Sequence, residues 1–317
     1  MLKTLKEVIN NQSGSVIVLI TLALLALVAS MALVIDVGLV FAQRIKASNA
    51  IDAAVMAGVR ELPQDPLAAI EVAQTYAQMN GLEIEEVDFE ISEDQRSLRG
   101  WVNKEQPMYF AKVLGIKSGQ VQAKATARLG PIGSLPPNAG GVPLGVSQEE
   151  LVFGETVTLK EGGGGGTEGW YGCLDFLSLT GGNGGAADYQ HYLSYGYDGS
   201  GYIGYGTLVL EEPGVMSGPT SKAVNYRINK CKDECDRDCT PEDYDPDCPR
   251  VVITMVGELV DKKYFEVHSF AGFFLEEVAG QGKDNIIRGR YIGLYIPGAE
   301  IDEEMSDNGV YTMELSE

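Results

Sequence analysis

The sequence contains few histidines, and this shortage argues against several classes of enzyme. Only His191 and His268 occur in 317 residues. A nucleophilic triad would need one of them beside Cys173 or a serine, oriented by an acid. The sequence also lacks the G-x-S-x-G elbow of serine hydrolases and the H-E-x-x-H helix of metalloproteases. We therefore predict that the chain is not an enzyme.

Basic residues are scarce as well. Lys and Arg number 24 against 45 Asp and Glu, which gives a formal net charge of −21 and a pI near 4.5. Such a surface repels the phosphates of nucleic acids, so we predict no nucleic-acid partner. It suits solvation, a cationic partner or calcium, although no D-x-[DN]-x-[DN]-G calcium loop is present. We predict no cofactor and keep calcium as a candidate ligand.

The chain has one long hydrophobic run, which lies near the N-terminus. Between residues 16 and 35 the only polar side chains are Thr21 and Ser30. Twenty residues at about 1.5 Å each match the roughly 30 Å core of a bilayer. A secretory signal usually has an apolar region of only about 7–15 residues before an A-x-A-like cleavage site, and here apolar residues follow Ser30-Met31-Ala32 at once. We predict a retained transmembrane helix in preference to a cleaved signal.

Asp36 follows this run directly. An acid at the membrane–water boundary costs far less than the roughly 2.5–3.5 kcal/mol assigned to a charge at the centre of a membrane helix. Asp36 therefore marks where the helix leaves lipid, or it meets a partner such as a lysine or a chain terminus of a neighbouring subunit. The sequence leaves both interpretations open.

The helical pattern continues past Asp36 to Leu62, where Pro63 ends it. We predict a short leader at 1–14 and one helix over 15–62 that continues from the membrane into an extracellular part. Small residues that permit close helix packing recur in its second half: Ala42, Ala47, Ala50, Ala53, Ala54, Ala57 and Gly58. They pack either on the chain's own domain or on helices of other subunits.

Membrane orientation is weakly encoded by charge. Lys3 and Lys6 precede the helix and Arg44 and Lys46 follow it, which is a near tie under the positive-inside rule. All five cysteines lie beyond the helix, and clustered cysteines in an acidic, glycine-rich region fit an oxidising exterior. We predict a single-pass protein of the cell membrane with a cytoplasmic N-terminus and an extracellular C-terminal domain.

The remaining sequence predicts an α+β fold. Residues 63–130 read as a small α-β-β-α-β module, with helices over 65–81 and 106–116 and strands over 85–92, 97–105 and 119–130. The Pro- and Gly-rich segment 131–145 reads as a linker. Residues 146–317 predict a β-rich distal domain, with core strands over 250–260, 264–278 and 285–298 and one helix over 220–231 that Thr220 would cap.

Four cysteines form an acidic cluster in the distal domain, spaced C-x3-C-x3-C-x8-C: Cys231, Cys235, Cys239 and Cys248. We favour disulfides that staple an extracellular loop. Zinc fits in part, because its sites usually use C-x2–4-C pairs separated by a longer loop. An odd fifth thiol, Cys173, remains in the monomer.

Six tyrosines lie among glycines in residues 189–206: Tyr189, Tyr192, Tyr195, Tyr197, Tyr202 and Tyr205. Tyrosine rings bring a large contact area at low entropic cost, which is typical of adaptable binding surfaces. Tyrosine is equally common on β-sheets. We predict a partner surface here and keep the structural alternative.

Residues 14–62 resemble the N-terminal region of the Tad (Flp) pilus-assembly family of TadE/TadG-like proteins. That family has a short basic leader, an apolar helix with a Gly-Ser start, a (V/I)DVG exit and an NAxDAAxxAG stretch. Here the exit is Ile35 to Gly38 and the stretch is Asn49 to Gly58. The resemblance assigns transmembrane exit and helix packing to Asp36, Gly38, Asn49, Asp52, Ala53, Ala54 and Gly58. Segments beyond the helix, such as FAKVLGIKSGQVQAKATA, resemble more loosely the ectodomains of such proteins in Gram-positive-type bacteria.

The resemblance implies a non-catalytic bacterial surface protein whose partners are the membrane, other Tad-type pilus or envelope proteins, and itself through the N-terminal helix. Two features depart from related patterns. Pilins carry a glutamate five residues after the processing glycine, whereas Leu19 stands there if Gly14 and Ser15 form the processing site. The segment DGSGY at 198–202 stops short of the D-x-S-x-S metal site of larger relatives, so no metal site is assigned.

Two functions are therefore considered. The first is a membrane-anchored structural component or accessory of a Tad/Flp-type pilus or cell-envelope assembly. The alternative is a membrane-tethered extracellular module that binds cell wall, carbohydrate or calcium.

Overall fold

The computed structural model describes residues 13–62, 65–147, 151–161, 172–245, 247–261 and 263–316. The chain divides into two compact units. Unit 1 comprises residues 1–127 with 315–317, and unit 2 comprises residues 128–314. The fold combines a long N-terminal apolar helix with β-rich regions, so the predicted α+β class is confirmed.

The long helix, α1, runs over Ser13–Gly58 and is followed by a 3-10 turn over Val59–Glu61. Leu62 then has extended backbone angles. The predicted continuous element over 15–62 is therefore present, while Pro63 and the leader up to residue 12 lie outside the described residues.

Unit 1 places a helix and three strands after α1. Helix α2 covers Pro66–Met79, and the strands are β1 (Val87–Ile91), β2 (Ser97–Pro107) and β3 (Ser118–Pro131), in the order β1-β2-β3. The Asp65 carboxylate accepts the N–H groups of Leu67 and Ala68, so it is the N-cap of α2, with Pro66 just inside the helix. The helix predicted over 106–116 is reduced to a 3-10 turn over Ala111–Leu114. Strand β2 takes up the first residues because it extends through Pro107, and Gly115 follows the turn with a φ of 88°.

The second half of α1 packs on its own unit through its small residues. A Cβ atom at Gly58 would lie 2.5 Å from the carbonyl oxygen of Ala69 and 2.6 Å from Leu98 Cδ2. A Cβ at Gly100 of β2 would lie 2.9 Å from Val55 Cγ1 and would also crowd Ile51. The core of unit 1 is thus formed where α1 crosses α2 and β2 at positions without bulky side chains.

In its described residues, unit 2 has nine strands and two α-helices. The strands are β4 (Gly141–Val146), β5 (Thr156–Lys160), β6 (Gly172–Asp175), β7 (Leu208–Glu211), β8 (Val251–Val260), β9 (Tyr264–Ala279), β10 (Ile286–Ile292), β11 (Leu294–Tyr295) and β12 (Val310–Ser316). The helices are α3 (Ala186–Tyr195) and α4 (Ser217–Glu234). Strands β3 and β12 each run across the boundary between the units.

The main sheet of unit 2 closes on itself. Its order is β5-β10-β9-β7-β6-β4-β8, and β8 pairs in addition with β9, so β9, β7, β6, β4 and β8 form a ring. Ring closure is made possible by the 16-residue length of β9, which pairs with β7 near Phe265 and with β10 near Phe274. The three predicted core strands are all present as β8, β9 and β10 with β11.

The predicted linker over 131–145 is only partly a linker. All residues of β4 are buried, and Ile132 and Leu135 are also part of the core of unit 2. The sequence pattern failed here because proline and glycine occupy a short strand in the ring, where Gly141 lies against Leu135.

The predicted cap of the second helix in unit 2 is wrong. Helix α4 begins at Ser217, three residues before Thr220. Thr220 is fully buried, and its hydroxyl lies 3.2 Å from the Tyr189 hydroxyl of α3. It therefore serves the packing between α3 and α4 and does not cap the helix.

Candidate functional sites

The first half of α1 is the candidate membrane span. It is long and apolar enough to cross a bilayer, and within the described part of the chain no residue of its most apolar window is buried. Gly14 and Ser15 lie in the first turn of this helix. The chain therefore carries an N-terminal helix suited to membrane anchoring.

Asp36 is buried at the point where this apolar stretch ends. Its Oδ1 accepts the N–H of Tyr109 at 2.9 Å, and its Oδ2 accepts the N–H groups of Phe110 at 2.9 Å and Ala111 at 2.6 Å. Only 1% of the residue is exposed. These donors are the otherwise unpaired N–H groups at the start of the 111–114 turn, and a carboxylate is their preferred acceptor. Asp36 thus has partners within its own chain, which the sequence did not foresee.

The segment held by Asp36 exposes large apolar side chains. They are Tyr109, Phe110, Val113 and Ile116, and Val113 is 90% exposed. Two exposed basic residues, Lys112 and Lys117, accompany them. The start of β3 also approaches the helix, because a Cβ at Gly119 would lie 2.9 Å from Val40 Cγ2. We call residues 108–117 the exit loop.

The predicted helix-packing residues divide between two faces of α1. Ala54 and Gly58 are buried on the chain's own unit, and Asp52 and Ala53 are half-buried. Gly38 and Asn49 are exposed, and nothing lies within 4 Å of a Cβ built at Gly38. The chain's own unit therefore accounts for the buried members of this set, and packing between subunits stays a prediction for the exposed ones.

The exposed face of α1 beyond Asp36 remains partly apolar. Val37, Phe41 and Ile45 follow at four-residue spacing and are 56%, 65% and 47% exposed. With Gly38 and Asn49 they form a surface that we call the outer face. It lies opposite the buried positions Asp36, Ala47, Ala50 and Ala54 of the same helix.

A groove of about 630 Å³ lies beside α1 within unit 1. Its lining is mixed in charge: Arg44, Ser48, Asp52, Trp101, Val102, Asn103, Gln122, Ala123, Lys124, Leu315 and Ser316. The groove brings the predicted residue Asp52 beside strands β2 and β3.

The four clustered cysteines come together at the end of α4. Their Sγ atoms all lie within 4.8 Å of one another. Cys231, Cys239 and Cys248 are buried and Cys235 is half-buried, and none of them forms a disulfide in the structure. The predicted disulfides stay a prediction, while the grouping of these four residues is established.

The predicted tyrosine surface is partly wrong. Residues 186–195 form helix α3, which turns Tyr189 and Tyr192 into the core, and Tyr197 is buried as well. Tyr195, Tyr202 and Tyr205 are exposed. Helical spacing explains why some tyrosines are buried and others exposed, because residues 186–195 form a helix with one apolar face. The tyrosine- and glycine-rich pattern did not predict this helix.

The fifth cysteine lies in a separate buried polar group. Cys173 contacts the Tyr189 hydroxyl and is close to Lys160 and Glu212. Burial raises the pKa of the Cys173 thiol to about 11, despite the hydrogen bond from Tyr189 and the charge of Lys160. The thiol is therefore protonated at neutral pH and is a poor nucleophile.

The two histidines lie elsewhere. His191 stacks on Tyr192 and Tyr195, and His268 lies 4.0 Å from Glu266 and beside Tyr205. His268 is half-buried, with 28% of its side chain exposed.

The N-terminal helix matches a protein-family model. Residues 14–61 match the family described as Tad, putative Flp pilus-assembly TadE/G-like. The N-terminal helix is similar to this family. At the level of the family, this match associates the chain with Flp pilus assembly. The matched residues contain Asp36 and both faces of α1. No curated protein and no solved structure matched the chain.

Proposed function

We propose that the chain is a membrane-anchored, non-catalytic structural component or accessory of a Tad/Flp-type pilus or cell-envelope assembly. The observation that carries the proposal is the triple hydrogen bond from the exit loop to Asp36. It ties the folded part of unit 1 to α1 one residue beyond the apolar stretch. A simple tether for a mobile domain would not need such a connection.

The exit loop supports contact with the membrane surface. Because Asp36 lies at the end of the apolar stretch, residues 109–111 are held at the level where lipid meets water. Tyrosine, phenylalanine and lysine are the residues that favour this level, the aromatic rings in the interface and the lysine head groups towards water and anionic lipid. The exposure of Phe110, Val113 and Ile116 is then explained by lipid that covers them. Anchor and folded unit would form one body with a fixed depth in the membrane.

The outer face of α1 supports assembly with other helices. Phe41 and Ile45 would be an unusual pair of exposed residues on a solvated helix, and Gly38, about one turn before Phe41, allows close approach of a second backbone. The face is continuous with the lipid-exposed side of the span. We infer that it packs against the same helix of another copy or against a related Tad-type helix.

The C-terminal part is proposed to lie outside the cell. The acidic composition beyond the helix suits a solvated outer surface. Protease added to whole cells should degrade residues beyond the span and leave an N-terminal fragment that contains α1. Complete protection in whole cells, with degradation after lysis, would place this part inside and contradict the proposal.

Photo-crosslinking tests the assembly role. A benzoylphenylalanine at Phe41 in native envelopes should cross-link to another copy of the chain or to an identified Tad-type protein. The same residue at Tyr202, on the exposed part of unit 2, is the matched control. Adducts at position 41 support a structural assembly through the helix. Protein or glycan adducts at position 202 alone would favour the alternative, a membrane-tethered binding module.

A further inference from the structure

The cysteine cluster has the arrangement of a metal centre. Four Sγ atoms lie within 4.8 Å of one another, and those of Cys231 and Cys248 are 3.5 Å apart. Tetrahedral zinc with bonds of about 2.3 Å to sulfur separates its ligand sulfurs by about 3.8 Å. Four thiols at this mutual spacing match one tetrahedron. Two disulfides would instead need two pairs at bonding distance.

The four cysteines come from the end of helix α4 and from the loop that follows it. Cys231 lies in the last turn of α4, and Cys235 follows one turn later, with its N–H bonded to the Cys231 carbonyl at 3.0 Å. The loop beyond is closed by Arg237, whose guanidinium pairs with Asp243 at 2.6 Å and Asp245 at 3.0 Å. This closure returns the chain so that Cys239 and Cys248 face the helix end.

The base of the cluster is supported by a buried arginine. Arg227 of α4 donates to the carbonyl of Leu193 at 2.6 Å and to the carbonyl of Pro249 at 2.8 Å. Pro249 is the neighbour of Cys248, so the position of this ligand is fixed relative to α4. Ligand positions that do not depend on a bound ion are a property of preorganised metal sites.

The surroundings suit a zinc–thiolate centre. Phe274 and Ile292 of the sheet pack beneath the cysteines and exclude water from one side. Backbone N–H groups of Asp245 and Arg250 donate to the sulfurs of Cys239 and Cys248. The Arg250 side chain donates to the Cys239 carbonyl at 3.3 Å. A centre of one Zn²⁺ and four thiolates has a charge of −2, which these donors and the arginine offset.

We propose that Cys231, Cys235, Cys239 and Cys248 bind one structural Zn²⁺. All four coordination positions are filled by protein sulfur, so the centre is closed and holds the acidic loop 235–248 against α4 and β9. The thiols release their protons to solvent as the metal binds. A tetrahedral set of four sulfurs would also accept iron, and the acidic side chains around the loop raise the local concentration of any divalent cation.

Metal analysis of the full chain, purified in detergent without added chelator, tests the proposal. We expect about one zinc per chain and an intact mass in the native state that includes the metal. Alkylation of the native protein should leave the four thiols unmodified, and alkylation after denaturation with a chelator should modify all of them. A metal-free protein whose denatured thiols resist alkylation until reduced contains disulfides, and this result overturns the proposal. Iron in place of zinc would overturn the identity of the metal.

Three variants make the result specific. Cys239→Ser should reduce zinc to less than about a tenth of the wild-type content, since a site with three thiolates binds far more weakly. Cys173→Ser removes a buried thiol outside the cluster and should keep full zinc content. His268→Ala tests the second group of metal-capable side chains, Glu258, Glu266 and His268, and should also keep it. Loss of zinc in His268→Ala with retention in Cys239→Ser would place the metal at the other group and contradict the proposal.

Discussion

Asp36 and Ala111 are joined by a hydrogen bond of 2.6 Å between residues that are 75 positions apart in the chain. The carboxylate lies in the membrane-proximal part of α1, and the N–H begins the turn of the exit loop. This hydrogen bond and those from Tyr109 and Phe110 give Asp36 a structural role in this chain. The presence of a carboxylate at position 36 is then explained by the three N–H donors that it satisfies.

Replacement of Asp36 tests this role. Asp36→Asn removes the charge and turns one acceptor oxygen into a donor, so the exit loop should open more readily. Hydrogen bonds to charged groups are worth about 1.5–3 kcal/mol, and the amides of residues 109–111 should lose protection from hydrogen exchange by a corresponding amount. Asp88→Asn, the same change at an exposed position of β1, is the matched control. Equal protection in both variants would contradict the assigned role.

Gly38 and Gly58 of α1 should respond in opposite ways to alanine. Gly58→Ala places a Cβ against Ala69 and Leu98, and such overpacking costs typically about 1–3 kcal/mol. Gly38→Ala meets no atom and should stabilise the helix by about 0.5–1 kcal/mol. Thermal unfolding in detergent measures both.

Gly38→Ala also separates folding from assembly. If the outer face packs against another helix, this variant should keep or improve its thermal stability while the cross-link from position 41 weakens. A cross-link of unchanged strength would show that close backbone approach at Gly38 is not needed. Gly58→Ala with wild-type stability would contradict the packing described for unit 1.

Replacement of a buried tyrosine by alanine should lower the free energy of unfolding far more than replacement of an exposed one. Tyr197→Ala removes a fully buried ring that stacks on Phe176, and loss of a buried aromatic ring typically costs about 3–5 kcal/mol. Tyr202→Ala removes an exposed ring and should change the free energy of unfolding by less than about 0.5 kcal/mol. Any partner of this region should lose affinity in Tyr202→Ala, whose fold is intact. A strongly destabilised Tyr202→Ala would contradict the assignment of its ring to the surface.

Stability should fall at alkaline pH because of Cys173. Its pKa is raised by burial from 9.0 to about 11, so between these values the folded state binds a proton that the unfolded state has released. Stability is then independent of this thiol below pH 9 and decreases by up to about 1.4 kcal/mol per pH unit above it. Melting temperatures at pH 8 and pH 10 measure the loss. Cys173→Ser cannot ionise and should show a smaller decrease; an equal decrease in both proteins would contradict the prediction.

The N-terminus of the mature protein distinguishes a fixed anchor from a filament subunit. Gly14 and Ser15 form a candidate processing site, but Leu19 stands where pilins carry glutamate. N-terminal sequencing and intact mass of protein from native envelope measure the start. A start at Ser15 would show that a pilin-type peptidase accepts the chain, and it would favour a filament subunit over a fixed anchor.

The sequence predicted the elements of unit 1 well because their signals are local. Asp65 and Pro66 mark the start of α2, and alternation of apolar residues marks β1, β2 and β3. The exit loop was predicted as a helix because its apolar spacing fits one. Its actual form depends on β2, which continues to Pro107, and on the acceptor that Asp36 supplies from far along the chain.

The functional residues of unit 2 were less predictable. The four cysteines were identified from their spacing, but whether their sulfurs meet in pairs or as one group depends on how the loop returns after Arg237. The burial of Tyr189 and Tyr197 was missed because helix α3 has few ordinary apolar residues. A helical period in the tyrosines, with Leu193 between them, was the available signal.

The sequence by itself determined that this protein has a membrane-suited helix of Tad type, an acidic surface and an α+β fold, because apolar length, net charge and residue periodicity are properties of the chain alone. Only the tertiary structure decided what Asp36 binds, which face of α1 is exposed and that the sulfur atoms of the four clustered cysteines lie close together. These depend on contacts between residues distant in sequence, whose partners are selected by packing and hydrogen-bond satisfaction.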